Sequence, residues 1–261
     1  MSKIWFYLAK RFNPEAEITV YHGDHVDEIR KFGNKFPGVS FVKLDMEGIL
    51  PHTITRGRTA PSQDLILSMW RLFERQQYTP KHLFVEADAW ILAPLNDWWR
   101  AADDKPYIAT LERVTRDNFR LINTGTHSCN SLNFVTYSKL LHEYQKRGFI
   151  EVPVGEQGLI NLYFESIGYD CMHPSIGFEY NCYAAGSVIK KLDDKEIIIH
   201  SGNMPTTRKA RQLKARNLGW KWWGLDRRVK VLHAYYIKWW NLPECQPLWD
   251  YCISKVHEME R

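Results

Sequence analysis

Apolar residues at Ile4, Leu8 and Phe12 recur every fourth position, the spacing that lines one face of a helix. Asn13-Pro14 ends that pattern, because proline lacks an N–H and disfavours helix in the residue before it. Ile18 to His22 is rich in β-branched and aromatic residues and stops at Gly23, so it predicts a strand. A helix is expected from Val26 to Lys35 and a strand from Val39 to Asp45. Ser62 is placed to cap a helix carrying Leu65, Met69, Trp70 and Phe73, which Thr79-Pro80 breaks. Strands are then predicted from His82 into the acids Glu86 and Asp88, over Tyr107 to Glu112 and over Ser131 to Tyr137. Ser138 is expected to cap a helix running to Gly148, and Glu196 to His200 reads as a last short strand. From Thr206 to Trp240 the pattern reads as one or two basic amphipathic helices, with Val229, Leu232, Tyr236 and Trp240 on one face.

Helices and strands that alternate in this way predict an α/β fold with a mainly parallel central sheet flanked by helices. Ligands in such folds bind beyond the carboxyl ends of the strands. The chain opens on a helix, whereas domains of this kind usually open on a strand. The organisation expected is a domain over residues 1–205 and a basic, Trp-rich helical segment over 206–261.

Composition narrows the class. The chain has 261 residues, 44% hydrophobic and 25% charged, which suits a folded globular protein. No run of 18 apolar residues occurs, so no transmembrane segment is expected. The N-terminus lacks the pattern of a cleaved leader. Five cysteines without a C-x-x-C pair argue against a disulfide framework or structural zinc, and for a cytoplasmic location. Charge is uneven: Thr206 to Trp240 holds ten Lys/Arg against one acid, while the whole chain is only +5. Six of the eleven Trp also lie beyond residue 205. That combination offers a face to nucleic acid or to an anionic membrane surface, or a lid that packs its Trp inward.

The stretch His82-Leu83-Phe84-Val85-Glu86-Ala87-Asp88 carries the clearest chemistry. In an extended segment, side chains at i and i+2 share a side, so Glu86 and Asp88 can converge on one cation. Two carboxylates held together are costly unless a positive group neutralises them. The plainer alternative is a solvated strand end.

Further motifs follow in order. They are Trp70-Arg71-Leu72, the acidic stretch, Asn130-Ser131-Leu132-Asn133-Phe134-Val135, Glu156-Gln157-Gly158-Leu159-Ile160-Asn161, Phe178-Glu179-Tyr180-Asn181, and Ile198-Ile199-His200-Ser201-Gly202. The series resembles the GT-A glycosyltransferases, in particular the family-8-like group of glycogenin and the bacterial galactosyltransferases. In that group an acid-x-acid metal motif, an N-S-G strand, a D-Q-D-x-x-N motif and a W-N … I-I-H-x-x-G ending occur in the same order. This sequence has Glu86 for the first Asp, Leu132 where Gly is usual, and Glu156 and Gly158 in place of two acids.

The resemblance implies a GT-A-like fold and a metal-dependent transfer of a sugar from a nucleotide-sugar donor, a UDP-sugar first among them, to an acceptor hydroxyl. The acceptor classes in view are a glycan, a lipid-linked glycan or a hydroxymethylated DNA base. Glu86, Asp88 and His200 would hold Mn²⁺ or Mg²⁺. Glu86, Ala87, Asp88, Asn130, Asn133 and Arg58 would contact the donor. Glu156 and Gln157 would act at the reacting centre, although Glu156 also suits the first turn of a helix. Cys129 reads as a small packing residue rather than a nucleophile. The competing expectation is a catalytically inactive GT-A-like domain that binds a sugar, a nucleotide or nucleic acid.

Overall fold

The computed structural model describes residues 2–22, 26–43, 81–114, 120–130, 134–146, 155–183, 187–192, 195–200, 230–233 and 246–261. Helix α1 (Ser2–Phe12) forms where the apolar repeat predicts it. It buries Ile4, Phe6 and Leu8, and Asn13 N–H donates to Ala9 O at its end. β1 (Ile18–His22), α2 (Asp27–Gly33) and β2 (Val39–Lys43) make a βαβ unit whose strands pair in parallel. Gly38, at the positive φ of 69°, turns the chain into β2, a conformation that glycine adopts without a Cβ penalty.

β3 (His82–Val85) and β4 (Ala89–Ile91) follow, and α3 (Asn96–Ala101) leads to β5 (Tyr107–Val114) and β6 (Arg120–Cys129). β6 lies between β3 and β5 and is antiparallel to both. α4 (Tyr137–Lys146) and α5 (Gly155–Ser166) pack on this sheet, sealing Tyr107, Ile122, Leu140, Leu159 and Phe164. β7 (Cys182–Tyr183), the hairpin of β8 (Ser187–Leu192) and β9 (Lys195–His200), β10 (Val231–His233) and α6 (Gln246–Glu260) complete the described elements.

The α/β class is as expected, but pairing among the described strands is mixed. β1–β2 and β7–β10 are parallel, while β3–β6, β5–β6, β4–β10 and β8–β9 are antiparallel. Two local expectations are corrected. The described strand before α4 is Arg120–Cys129; of the expected strand Ser131 to Tyr137, residues 134–136 form a turn and Tyr137 begins α4, while residues 131–133 lie outside the described residues. The cap of α4 is Thr136, whose hydroxyl accepts from Lys139 N–H at 3.2 Å, rather than Ser138.

The larger correction concerns the C-terminal stretch. Residues 231–233 form a strand, not part of a helix, inserted between β4 and β7. A run as short as Val231-Leu232-His233 suits a strand as well as a helical face, and the open edge of β4 decides between them. Val231 and Leu232 are fully buried, the former with Ala89, Ile91 and Trp98, the latter with Trp90. α6 lies on α1, and Cys252 and Val256 join Ile4, Phe6 and Leu8 in one cluster. Among the described residues beyond 205, β10 and α6 thus share the core of the chain before it. Residues 201–229 and 234–245, with most of the basic Trp-rich stretch, lie outside the described residues. No described helix is long and apolar enough to cross a membrane.

Candidate metal centre

β3 ends at Val85, and the chain turns at once, with Ala89 N–H donating to Glu86 O at 3.0 Å. Glu86 and Asp88 therefore meet as the first and third residues of a tight turn, not as neighbours on an extended strand. The i, i+2 spacing brings them together in either geometry. The turn is pinned by Glu86 N–H to Gly125 O at 2.9 Å and by Trp5 Nε1–H to Glu86 O at 3.2 Å.

The histidine beside this turn is His233, at the carboxyl end of β10, brought there because β10 pairs antiparallel with β4 and sets His233 opposite Ala89. Its Nε2 lies 3.0 Å from Glu86 Oε2 and 3.6 Å from Asp88 Oδ1. The three ligand-type atoms all lie within 4.8 Å of one another. His233 is buried, with 2% of its side chain exposed, while Glu86 keeps 34% and Asp88 23%. Burial by itself pulls the imidazole down, but the Asp88 and Glu86 carboxylates outweigh it and push its pKa up to about 9.

Space for the imidazole comes from Gly125. A Cβ there would stand 2.4 Å from His233 Cε1 and 2.8 Å from Nδ1. Gly125 sits in an interruption of β6, where pairing with β5 steps from His127 opposite Ala109 to Asn123 opposite Thr110. Bulges of this kind re-aim the backbone and cluster beside active sites. Thr124 and Gly125 lose their ladder partners on β5, and side chains take over. Thr124 N–H donates to Gln157 Oε1 at 3.3 Å and Gly125 N–H to Asn123 Oδ1 at 2.8 Å.

Gln157 reaches this bulge from the first turn of α5, and Asn161 follows one turn later on the same face. Asn161 accepts from Ile122 N–H at 2.9 Å and donates to Gln157 O at 2.6 Å. Both side chains are buried, so these bonds carry the docking of α5 onto β6.

Other clusters resolve into structural roles. His127, on β6, stacks against Phe84 at 4.8 Å and Tyr107 at 5.2 Å. Burial pushes its pKa down to about 3, so it is a neutral packing group. Cys129 is fully buried, as its packing role requires. A cavity of about 470 Å³ lies at the amino end of β10, among Asp97, Arg100, Asp104, His173 and Lys230. Several of its charges pair with one another. Lys230 Nζ meets Asp97 Oδ2 at 2.5 Å and Tyr180 at 2.8 Å, and His173 meets Asp104 at 3.1 Å.

No family model and no curated protein matches this chain. Solved structures do. The galactosyltransferase LgtC, solved with donor and acceptor sugar analogs, aligns over 97% of this chain and 91% of its own, with a TM-score of 0.61 at 13% identity. The fold is that of the GT-A glycosyltransferases. An active-site glutamine-to-glutamate mutant of LgtC aligns with a TM-score of 0.52 at 11% identity, over 89% of this chain and 82% of its own. The glycosyltransferase GlyE of Streptococcus pneumoniae TIGR4 covers 99% of this chain with a TM-score of 0.58 at 14% identity. This chain spans 58% of the GlyE chain.

Within this GT-A fold, the structure brings Glu86 and Asp88 together, with Ala87 exposed at the tip of their turn. Gln157 is linked to them only indirectly, through Asn123, Asn181 and then His233. Glu156 is the second residue of α5, and His200 closes β9 opposite Ser187. The side chains of both lie outside the described residues, as do Arg58 and Asn133 and the motif Trp70-Arg71-Leu72. Asn130 is held elsewhere. It sits at the far end of β6, where its Nδ2 donates to Ala102 O at 2.6 Å and its N–H to Pro106 O at 3.0 Å.

Four residues at the centre escaped the sequence reading in their roles: His233, Gly125, Asn123 and Asn181. A signal existed for each. Val231-Leu232-His233 repeats the apolar-apolar-His pattern of Ile198-Ile199-His200, and Asn123-Thr124-Gly125 keeps the glycine that Asn130-Ser131-Leu132 lacks. Asn181 stands in the Phe178-Glu179-Tyr180-Asn181 motif, and its Oδ1 lies 2.9 Å from His233 Nδ1.

Proposed function

We propose that the chain is a metal-dependent glycosyltransferase, moving a sugar from a nucleotide-sugar donor to an acceptor hydroxyl. The observation that carries this reading is the convergence of Glu86, Asp88 and His233 at the ends of β3 and β10 in a GT-A fold. Two carboxylates and one imidazole suit a hard or borderline divalent ion such as Mn²⁺ or Mg²⁺. Such an ion, when bound, neutralises the charge that develops on a departing nucleoside diphosphate. Glu86 and Asp88, each partly exposed, present oxygens toward solvent, and buried His233 presents Nε2 from beneath them.

Gln157 serves by position rather than by direct attack on the sugar. Its Oε1 is occupied by Asn123 Nδ2 at 2.9 Å and by Thr124 N–H, so it fixes the bulge that carries Gly125. LgtC, whose active-site glutamine was mutated and which was solved with donor and acceptor sugar analogs, supports a sugar donor as the substrate class. A UDP-sugar is the first donor to test. Glu156, at the start of α5, is our candidate for a contact with the reacting sugar or acceptor.

The test is a turnover screen across UDP-, GDP- and CMP-sugars with Mn²⁺ or Mg²⁺, repeated after chelation. Nucleotide release that needs the metal, and is lost in Asp88→Asn, is the expected result. A folded protein that turns over none of the donors would sink the enzyme reading and leave a binding domain.

A further inference from the structure

We propose that Asn181 is a positioning residue that fixes the tautomer of His233, through a directional chain of amides anchored on the bulge of β6. The proposal rests on Glu86, Asp88 and His233 forming the metal centre. It goes further in naming what keeps Nε2 available to the ion.

The direction of the chain follows from two groups that can only donate. Thr124 N–H points at Gln157 and Gly125 N–H points at Asn123, so each of those side chains must offer oxygen there. With its oxygen so placed, Asn123 turns its Nδ2 to Gln157 Oε1 at 2.9 Å. Asn123 Oδ1 accepts a second bond, from Asn181 Nδ2 at 2.5 Å. The same Asn181 amino group donates to Thr110 Oγ1 at 2.9 Å. Its amino group thus engaged, Asn181 has only oxygen left for His233, and His233 Nδ1 lies 2.9 Å from that oxygen. That oxygen can only accept, so the hydrogen bond requires the proton to sit on Nδ1. A neutral His233 then keeps its lone pair on Nε2, the nitrogen that faces Glu86 and Asp88.

Every side chain in this chain of bonds is buried: Thr110, Asn123, Gln157, Asn181 and His233 are each at most 4% exposed. Water is poorly placed to replace a missing partner, so the order of donors and acceptors persists. Amides and histidines arranged in this way typically cost 10- to 100-fold in metal affinity, as an order of magnitude, when the outer partner is removed.

Protein labelled with ¹⁵N-histidine tests the idea directly. In metal-free protein above pH 10, long-range ¹H–¹⁵N spectra should show His233 with its proton on Nδ1. Asn181→Leu should lose that preference and bind Mn²⁺ at least tenfold more weakly. Asn181→Asp keeps an acceptor for Nδ1 and should retain the tautomer even if Asn181→Leu does not fold. A wild-type proton on Nε2, or a folded Asn181→Leu with unchanged tautomer and Mn²⁺ affinity, would overturn the proposal. Absence of Mn²⁺ binding by the wild type, with the Nδ1 proton in place, would instead count against the metal centre and leave the amide chain standing.

Discussion

His127 and His233 are both almost wholly buried, lie on strands of neighbouring sheets, and are driven in opposite directions. His127 has aromatic rings on both faces and one carbonyl, Thr124 O at 2.8 Å, so burial prevails and its pKa falls to about 3. His233 suffers the same loss of solvent but faces two carboxylates, which raise its pKa to about 9. Burial alone therefore does not distinguish these two histidines. The groups each ring faces separate the two, and those are set by strand pairing rather than by the residue.

The strongest way to break the contrast is to remove the charge that makes His233 different. Asp88→Asn should lower metal-dependent transfer by on the order of 10²–10³-fold, with the thermal melt little changed. His127→Phe should leave activity near wild type, and wild-type activity in Asp88→Asn would show that the two histidines do not differ in the way described.

The next effect is on stability in acid. The folded pKa of His127 lies below its ordinary value of 6.5, so the stabilisation is complete above pH 6.5. Below that pH the unfolded chain binds a proton that the folded chain refuses, and about 1.4 kcal/mol is lost per pH unit until His127 protonates near 3. His82, lowered to about 4 by burial, adds a second such proton over the upper part of that range. Urea melts of His127→Phe between pH 4 and 7 should show a slope shallower by one proton than the wild type. An unchanged slope would place the acid sensitivity elsewhere.

Gly125→Ala sharpens the geometry. Its Cβ would overlap His233, so a loss of about 1–3 kcal/mol in stability and a clear drop in Mn²⁺ affinity are expected. Calorimetry and Mn²⁺ titration would read both. The smallest change is Thr110→Val, which leaves one Asn181 N–H without its acceptor at a cost of about 1–2 kcal/mol in the same melts. A neutral outcome there would show that Asn123 alone orients Asn181.

Much of this was legible locally. α1, β1, α2, β2 and β9 follow from apolar spacing with Gly and Pro as stops, because those signals act over a few residues. The acid pair was legible for the same reason, although a turn rather than a strand unites it. The histidine was not. His200 and His233 both end short apolar strands, and nothing local separates them. Their strands do differ in partners: β9 pairs with β8 in a hairpin, whereas β10 pairs with β4, whose first residue follows Asp88. Asn123 was missed because its role depends on a bulge, which appears only when β5 and β6 are set side by side.

From its residues alone, then, this protein declares an α/β chain, an acid pair at Glu86 and Asp88 spaced to converge, and a helix that starts near Gln157. Periodicity, turn chemistry and the cost of paired charge all operate within a few positions, and they suffice for those features. Which histidine joins the acids, which glycine gives it room and which amide sets its proton were decided by tertiary structure. Those choices depend on residues up to 147 positions apart, from Glu86 to His233, and only the insertion of β10 beside β4 brings them within hydrogen-bonding distance.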